Sequence, residues 1–271
     1  MKYLFHAYRI FNLLSLDVAA GAMVSALFFA KIFQVTIFSH GLIALGLSVW
    51  IIYTADHLLD AKKIKQKAST VRHRFHQDHF IPLCISLLIA LIADVVQLFS
   101  IRQVVFIHGI VLGVMVGVYF IVQRYLGWMK ELTGALLYSG GVLLVPLSMD
   151  QSNLTWFHYL LIAQFALVAL INLLVFSWID QPHDKRDQHT SFATTMGNDR
   201  TRSILVILFF VQLIFFVVQL FFFETTIQLV LLAMNVLLFI IFFYKDYFEK
   251  NDRYRLLGDA VFFLPLVYIF W

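Results

Sequence analysis

Two acidic pairs in the sequence have the spacing that chemistry requires. Asp56 and Asp60 lie four residues apart in Tyr53-Thr54-Ala55-Asp56-His57-Leu58-Leu59-Asp60, and Asp180 and Asp184 repeat that spacing. Positions i and i+4 share a helix face, so each pair can aim two carboxylates in one direction. Such pairs suit Mg²⁺, which is held by a few carboxylates together with substrate phosphate oxygens. Basic residues follow both: Lys62, Lys63, Lys65, Arg72 and Arg74 after the first, Lys185 and Arg186 after the second. Lys and Arg neutralise phosphate charge, and Arg does so bidentately. An Asp at a helix end beside Lys is also ordinary solvated loop chemistry, and a short motif alone carries little. Two pairs put the readings on an equal footing, and spacing by itself leaves both open.

The elements that must position these pairs are apolar helices. Of the 271 residues, 61% are hydrophobic and 13% charged. A water-soluble domain is about half apolar and about a quarter charged, so this composition points to a bilayer. Stretches of about 20 apolar residues, enough to span, occur at 10–33, 37–59, 80–100, 103–122, 131–148, 156–179, 203–222, 226–244 and 254–271. The expectation is therefore an all-α membrane protein of nine transmembrane helices, with residues 1–271 as one domain. The first run contains Asp17 and continues to Phe33, too long for a cleaved signal. With the N-terminus in the cytoplasm, 18 of the 20 Lys and Arg residues fall on the cytoplasmic side, leaving Lys31 and Arg102 opposite. Cytoplasmic excess of Lys and Arg is what orients such proteins. The net charge of +4 thus reflects topology and not nucleic-acid binding. The C-terminus is expected on the other side of an inner-type, bacterial membrane. The single Cys84 excludes an intrachain disulfide.

This arrangement puts both pairs on the cytoplasmic side, at the ends of spans two and six, opening loops at about 60–79 and 180–202. Pro182 is expected to break its helix. Asp17, Asp94 and Asp259 fall within spans, where acids are costly and face a cavity or a partner. Of these Asp94 is deepest and has no basic neighbour in sequence. His73, His76 and His79 recur at three-residue spacing, as a loop face that could bind diphosphate or, less simply, metal.

The ordered motifs resemble those of the UbiA superfamily of intramembrane prenyltransferases. Asp56 and Asp60 match the last two acids of the family's N-D-x-x-D-x-x-x-D, and Asp180 and Asp184 its D-x-x-x-D. Tyr125 to Lys130 looks like its Y-x-x-M-K segment, and Ser191 and Gly197 fall where the family has a Ser-containing stretch and a Gly. The leading Asn-Asp is Ile52-Tyr53 here, His57 stands where Arg is common, and Phe176 replaces a common Tyr. The departure removes two possible metal ligands, which Asp187 could compensate.

The resemblance implies an Mg²⁺-dependent transfer of a prenyl group from an allylic diphosphate to a hydrophobic, aromatic or quinone-type acceptor. It implies Asp56, Asp60, Asp180 and Asp184 as catalytic metal ligands, and Lys63, Arg72, Arg74, Lys130 and Lys185 as diphosphate contacts. Asn12, Asp17, Tyr53 and Asn172 are pocket candidates. Tyr53, Tyr119, Tyr138 and Trp178 could stabilise an allylic cation, though packing or interfacial anchoring is the readier explanation for each. The alternatives are a terpene cyclase of the same fold, which needs no acceptor, and a non-catalytic lipid-binding or transport protein. A transporter would carry its functional charges near the midplane.

Overall fold

The computed structural model describes residues 2–149 and 154–270. All of the regular structure among them is helical: α1 (Lys2–Leu13), α2 (Leu16–Ile32), α3 (Ser39–Lys63), α4 (Val71–Asp78), α5 (Phe80–Leu98), α6 (Gln103–Val122), α7 (Met129–Met149), α8 (Trp156–Arg186), α9 (Phe192–Met196), α10 (Asn198–Gln219), α11 (Thr225–Phe243), α12 (Lys245–Phe248), α13 (Arg253–Ala260) and α14 (Leu266–Phe270). Seven of these (α3, α5, α6, α7, α8, α10 and α11) are long and apolar enough to cross a membrane.

The first and last expected spans are broken. The axes of α1 and α2 differ by 80°, because Ser15 between them takes a left-handed conformation (φ 55°). The Leu14 carbonyl freed by the break accepts a hydrogen bond from the Trp50 indole at 2.8 Å. The 254–271 stretch is divided between α13 and α14, with Pro265, which cannot donate a backbone hydrogen bond, ahead of α14. Trp271, at its expected end, lies outside the described residues. Lys31 donates to the carbonyls of Tyr268 (2.8 Å) and Ile269 (3.3 Å), a cationic cap on the end of α14.

The long helix α8 is the axis of the bundle and packs against α7, α9, α10, α11 and α13. Its Leu161, Phe165, Ile171, Leu174 and Ile179 are almost fully buried. Phe165 meets Phe29 of α2 edge to face, with ring centres 5.1 Å apart. Three glutamines in this interior are linked: Gln164 accepts through its backbone carbonyl from Gln212 of α10 (2.8 Å) and donates to Gln228 of α11 (3.2 Å). Helices α5 and α6 behave oppositely, exposing Ile81, Ile85, Ile92, Ile107 and Val114. A face of that kind fits hydrocarbon contact.

Two helices outrun their expected ends. Helix α3 continues past residue 59 to Lys63, and α8 runs through Pro182 to Arg186. The expected break at Pro182 does not occur. A proline keeps a helical φ and removes one backbone hydrogen bond, and here Asp180, Gln181 and Asp184 are buried around it, so packing holds the last turns. The two loops that follow are also structured. Thr70 caps α4 by accepting from the His73 amide at 3.2 Å, and Ser191 forms a capping box with Thr194 at the start of α9. Gly197, at φ 87°, makes the turn from α9 into α10, a conformation that favours glycine.

At Gly21 of α2 the C-terminal segment approaches closely, and a Cβ there would lie 2.8 Å from the Phe262 Cβ. Neither backbone can yield easily, so Gly21→Ala should cost about 1–3 kcal/mol, read as a lower melting temperature of the detergent-solubilised protein.

Candidate functional site

The ends of α3 and α8 bring the acidic pairs together. Asp56, Asp60, Asp180 and Asp184 all line one cavity of about 710 Å³. Since Pro182 leaves α8 intact, the second pair keeps the same one-face geometry as the first. Lys130 and Glu131 of α7 and Arg255 of α13 line the same end, with His73 and His189 beside them. The rest of the wall is mainly apolar, contributed by α3, α5, α6 and α7, and Tyr53, Tyr119 and Tyr138 lie along it.

The four aspartates differ in what they hold. Asp60 is buried and paired with Lys63 (2.8 Å) and Lys130 (3.4 Å), and the His189 ring nitrogen is 3.7 Å away. Asp180 is buried against Arg255 and the Tyr254 hydroxyl. Asp184 is buried and has no Lys or Arg salt-bridge partner among the described residues. Asp56 has its Oδ1 enclosed without a hydrogen bond. Five carboxylates therefore line this end against two cations, Lys130 and Arg255. Among the described residues no three His, Cys, Asp or Glu side chains are grouped so as to hold a metal by themselves. That fits an ion such as Mg²⁺, which takes only part of its shell from protein and the rest from water and phosphate. Asp56 and Asp184, which form no salt bridge among the described residues, are the two aspartates that could contribute to such a shell.

Several expected residues are elsewhere. Arg72 is buried in a network: it pairs with Asp259 at 3.1 Å and donates to Asn12 Oδ1 at 3.1 Å, while Asn12 donates to Asp17 and Asp259. Its guanidinium thus neutralises buried carboxylates, and Arg72, Asn12 and Asp17 are absent from the cavity wall. Arg74 is also absent from it and donates to the Ala68 carbonyl at 3.2 Å, bracing the first loop. Lys185 is exposed on the outer face of α8. Lys63 reaches the site only through Asp60, with its side chain 54% exposed. Asn172 is buried outside the cavity wall, close to Gly258. Trp178 stacks with Phe242 and carries Lys245 over its ring, likewise off the wall. Asp187 accepts from the Ser69 amide (2.9 Å) and hydroxyl (2.6 Å), so it joins the two loops and is no substitute metal ligand.

The residues missed from sequence are Arg255, Tyr254, Glu131 and His189. Arg255 sits among other charges in Asn251-Asp252-Arg253-Tyr254-Arg255 and reads there as one more topological cation. Glu131 accepts from the Phe192 amide at 2.7 Å and so fixes the start of α9; nothing local marks it.

No protein-family model and no curated protein matches the sequence. Solved structures do match its fold. A UbiA homologue from Archaeoglobus fulgidus bound to DMAPP and Mg²⁺ aligns with a TM-score of 0.65 at 14% identity, over 96% of this chain and 98% of that one. The same homologue bound to GPP and Mg²⁺ aligns at 0.63 and 14%, over 96% and 99%. The apo structure of a UbiA homologue from Aeropyrum pernix K1 gives 0.64 at 11%, over 96% and 98%. The chain therefore has a UbiA-like fold, and its apolar helices suit a multi-pass membrane protein.

Burial holds His73 and His76 neutral. Desolvation pushes His73 down to about 4 against the pull of Asp60, and pushes His76 down to about 4 despite its hydrogen bond to the Arg72 carbonyl. Below pH 6.5 the unfolded chain binds protons at these residues that the folded chain refuses. Stability is thus complete above pH 6.5 and falls as the pH drops toward 4. Each histidine should cost about 2 kcal/mol between pH 6.5 and 5. Melting curves at pH 7.5 and 5 should show the loss, and His76→Gln should reduce it.

Proposed function

We propose that this protein is an Mg²⁺-dependent intramembrane prenyltransferase, moving a prenyl group from an allylic diphosphate to a small aromatic or quinone-type acceptor. One observation carries the reading: four aspartates from two helices converge with Lys130 and Arg255 at the polar end of an otherwise apolar cavity. The neighbours bound to DMAPP or GPP with Mg²⁺ share this fold, and they support the same ligands for this chain. In this reading residues 1–271 are one domain. The kinked α1–α2 pair and the α13–α14 segment complete nine crossings, and the acidic pairs lie on the cytoplasmic side of an inner-type membrane.

The division of the cavity assigns the roles. Lys130 Nζ and the Arg255 guanidinium hold the negatively charged diphosphate, and Asp60 and Asp180 orient those two cations. Mg²⁺ bound by Asp56 and Asp184 would supply charge neutralisation as the diphosphate departs. The apolar wall takes the prenyl tail and excludes water from the allylic carbon. Tyr53 and Tyr138 offer aromatic faces to the positive charge that develops there.

Purified protein with DMAPP, GPP or farnesyl diphosphate should release pyrophosphate when Mg²⁺ and a lipid extract or aromatic acceptor are present, and chelation should abolish the release. Asp56→Asn, Asp184→Asn and Lys130→Ala should each lower the rate by about 10²- to 10³-fold, the cost of losing one aimed charge in a dry site. Identification of the organic product separates transfer from cyclisation. No release with any acceptor, together with no diphosphate binding, would overturn the reading.

A further inference from the structure

Asp94 takes no part in the chemistry above, yet it lines the same cavity from α5. It faces Ser48 of α3, whose hydroxyl donates to Asp94 Oδ2 at 2.7 Å. Ser48 precedes Asp56 by eight residues, which places the pair about 12 Å along the helix from the diphosphate end. On its own helix the neighbouring wall residues are Leu91 and Leu98, and the facing α6 wall of the cavity is hydrocarbon and glycine. The cations that line the cavity, Lys130 and Arg255, are at the other end. The nearby polar pair His40 and Gln97 bond to each other at 2.9 Å and do not line the cavity.

The Ser48–Asp94 pair is therefore one hydrogen bond short. Asp94 Oδ1 is enclosed without a partner. An acidic side chain at membrane depth is expensive and normally meets a partner or a cavity, and this one meets Ser48 through one oxygen only. The terminal carboxyl torsion of Asp is broad, so a small rotation presents the free oxygen to the cavity while the Ser48 hydroxyl follows the other. What is wanting there is a neutral donor at a set distance from the diphosphate.

We propose that Ser48 and Asp94 form a subsite for a hydroxyl group carried on the far part of the isoprenoid chain, so that the site prefers an oxygenated allylic diphosphate over the plain hydrocarbon. This rests on the diphosphate reading above and specifies its substrate class. In the cavity the hydroxyl donates to the Asp94 carboxylate and can accept from Ser48, a contact that a hydrocarbon tail cannot make.

The test is competition binding with Mg²⁺, comparing geranyl and farnesyl diphosphates with analogues hydroxylated at the terminal methyl. The wild-type protein should bind at least one hydroxylated analogue about tenfold more tightly than its parent, the size of one hydrogen bond to a charged acceptor. Asp94→Leu should abolish the preference while binding the parents as well as before. Ser48→Ala should reduce it, and provides the same reading should Asp94→Leu fold poorly. Equal binding of every pair by the wild type, or a preference that survives both variants, would overturn the subsite and leave the prenyltransferase reading intact. Failure of all four compounds to bind would overturn both.

Discussion

Uncompensated carboxylates are expensive beside an apolar bundle, and that cost organises the functional end of this protein. Asp60 is answered by Lys63 and Lys130, and Asp180 by Arg255 and Tyr254. A few residues away Asp17 and Asp259 are answered by Arg72 and Asn12. These pairings hold different helices together, because the partners come from α1, α2, α3, α4, α7, α8 and α13. Removing one partner of such a pair strands the other, so the network fixes geometry as well as charge. Asp56 and Asp184 form no salt bridge in this network among the described residues.

The scaffold makes this possible by letting two helices run beyond the bundle. Helices α3 and α8 keep their helical course as they leave the apolar zone, α8 even through Pro182, and so each Asp pair remains on one face. The loops that follow fold back as α4 and α9. They are tied to each other through Asp187 and Ser69, and to α7 through Glu131 and Phe192. A rigid polar rim over a loosely filled apolar cavity results. The rim fixes the position of charge, and the cavity below it is walled in part by the glycines of α6.

That the two acidic pairs each share a helix face at the end of an apolar run was legible because the signal is local. An i, i+4 pair at the end of a long apolar run needs no tertiary information to place it on one face. That Arg72, Arg74 and Lys185 do not line the cavity was not legible, for the complementary reason. A basic residue that follows an acidic pair in sequence is equally able to neutralise a buried carboxylate, brace a loop or face water, and only the fold shows that each of these three does one of them. Arg255 shows the converse: it lies 75 residues from Asp180 and meets it only through the packing of α13 on α8.

The sequence by itself determined the solvent of this chain, most of its helices and the two helix ends where the acidic pairs belong. Hydrophobic run length and four-residue spacing act over a few turns, so they are written in the order of residues. Tertiary structure alone decided which cations face the cavity, that α8 continues through Pro182, and that Asp94 opens onto the same space as Asp56. Those outcomes depend on what packs against each helix, since burial and long-range pairing set whether a charge is exposed, neutralised or left available, and neither is a property of any local stretch.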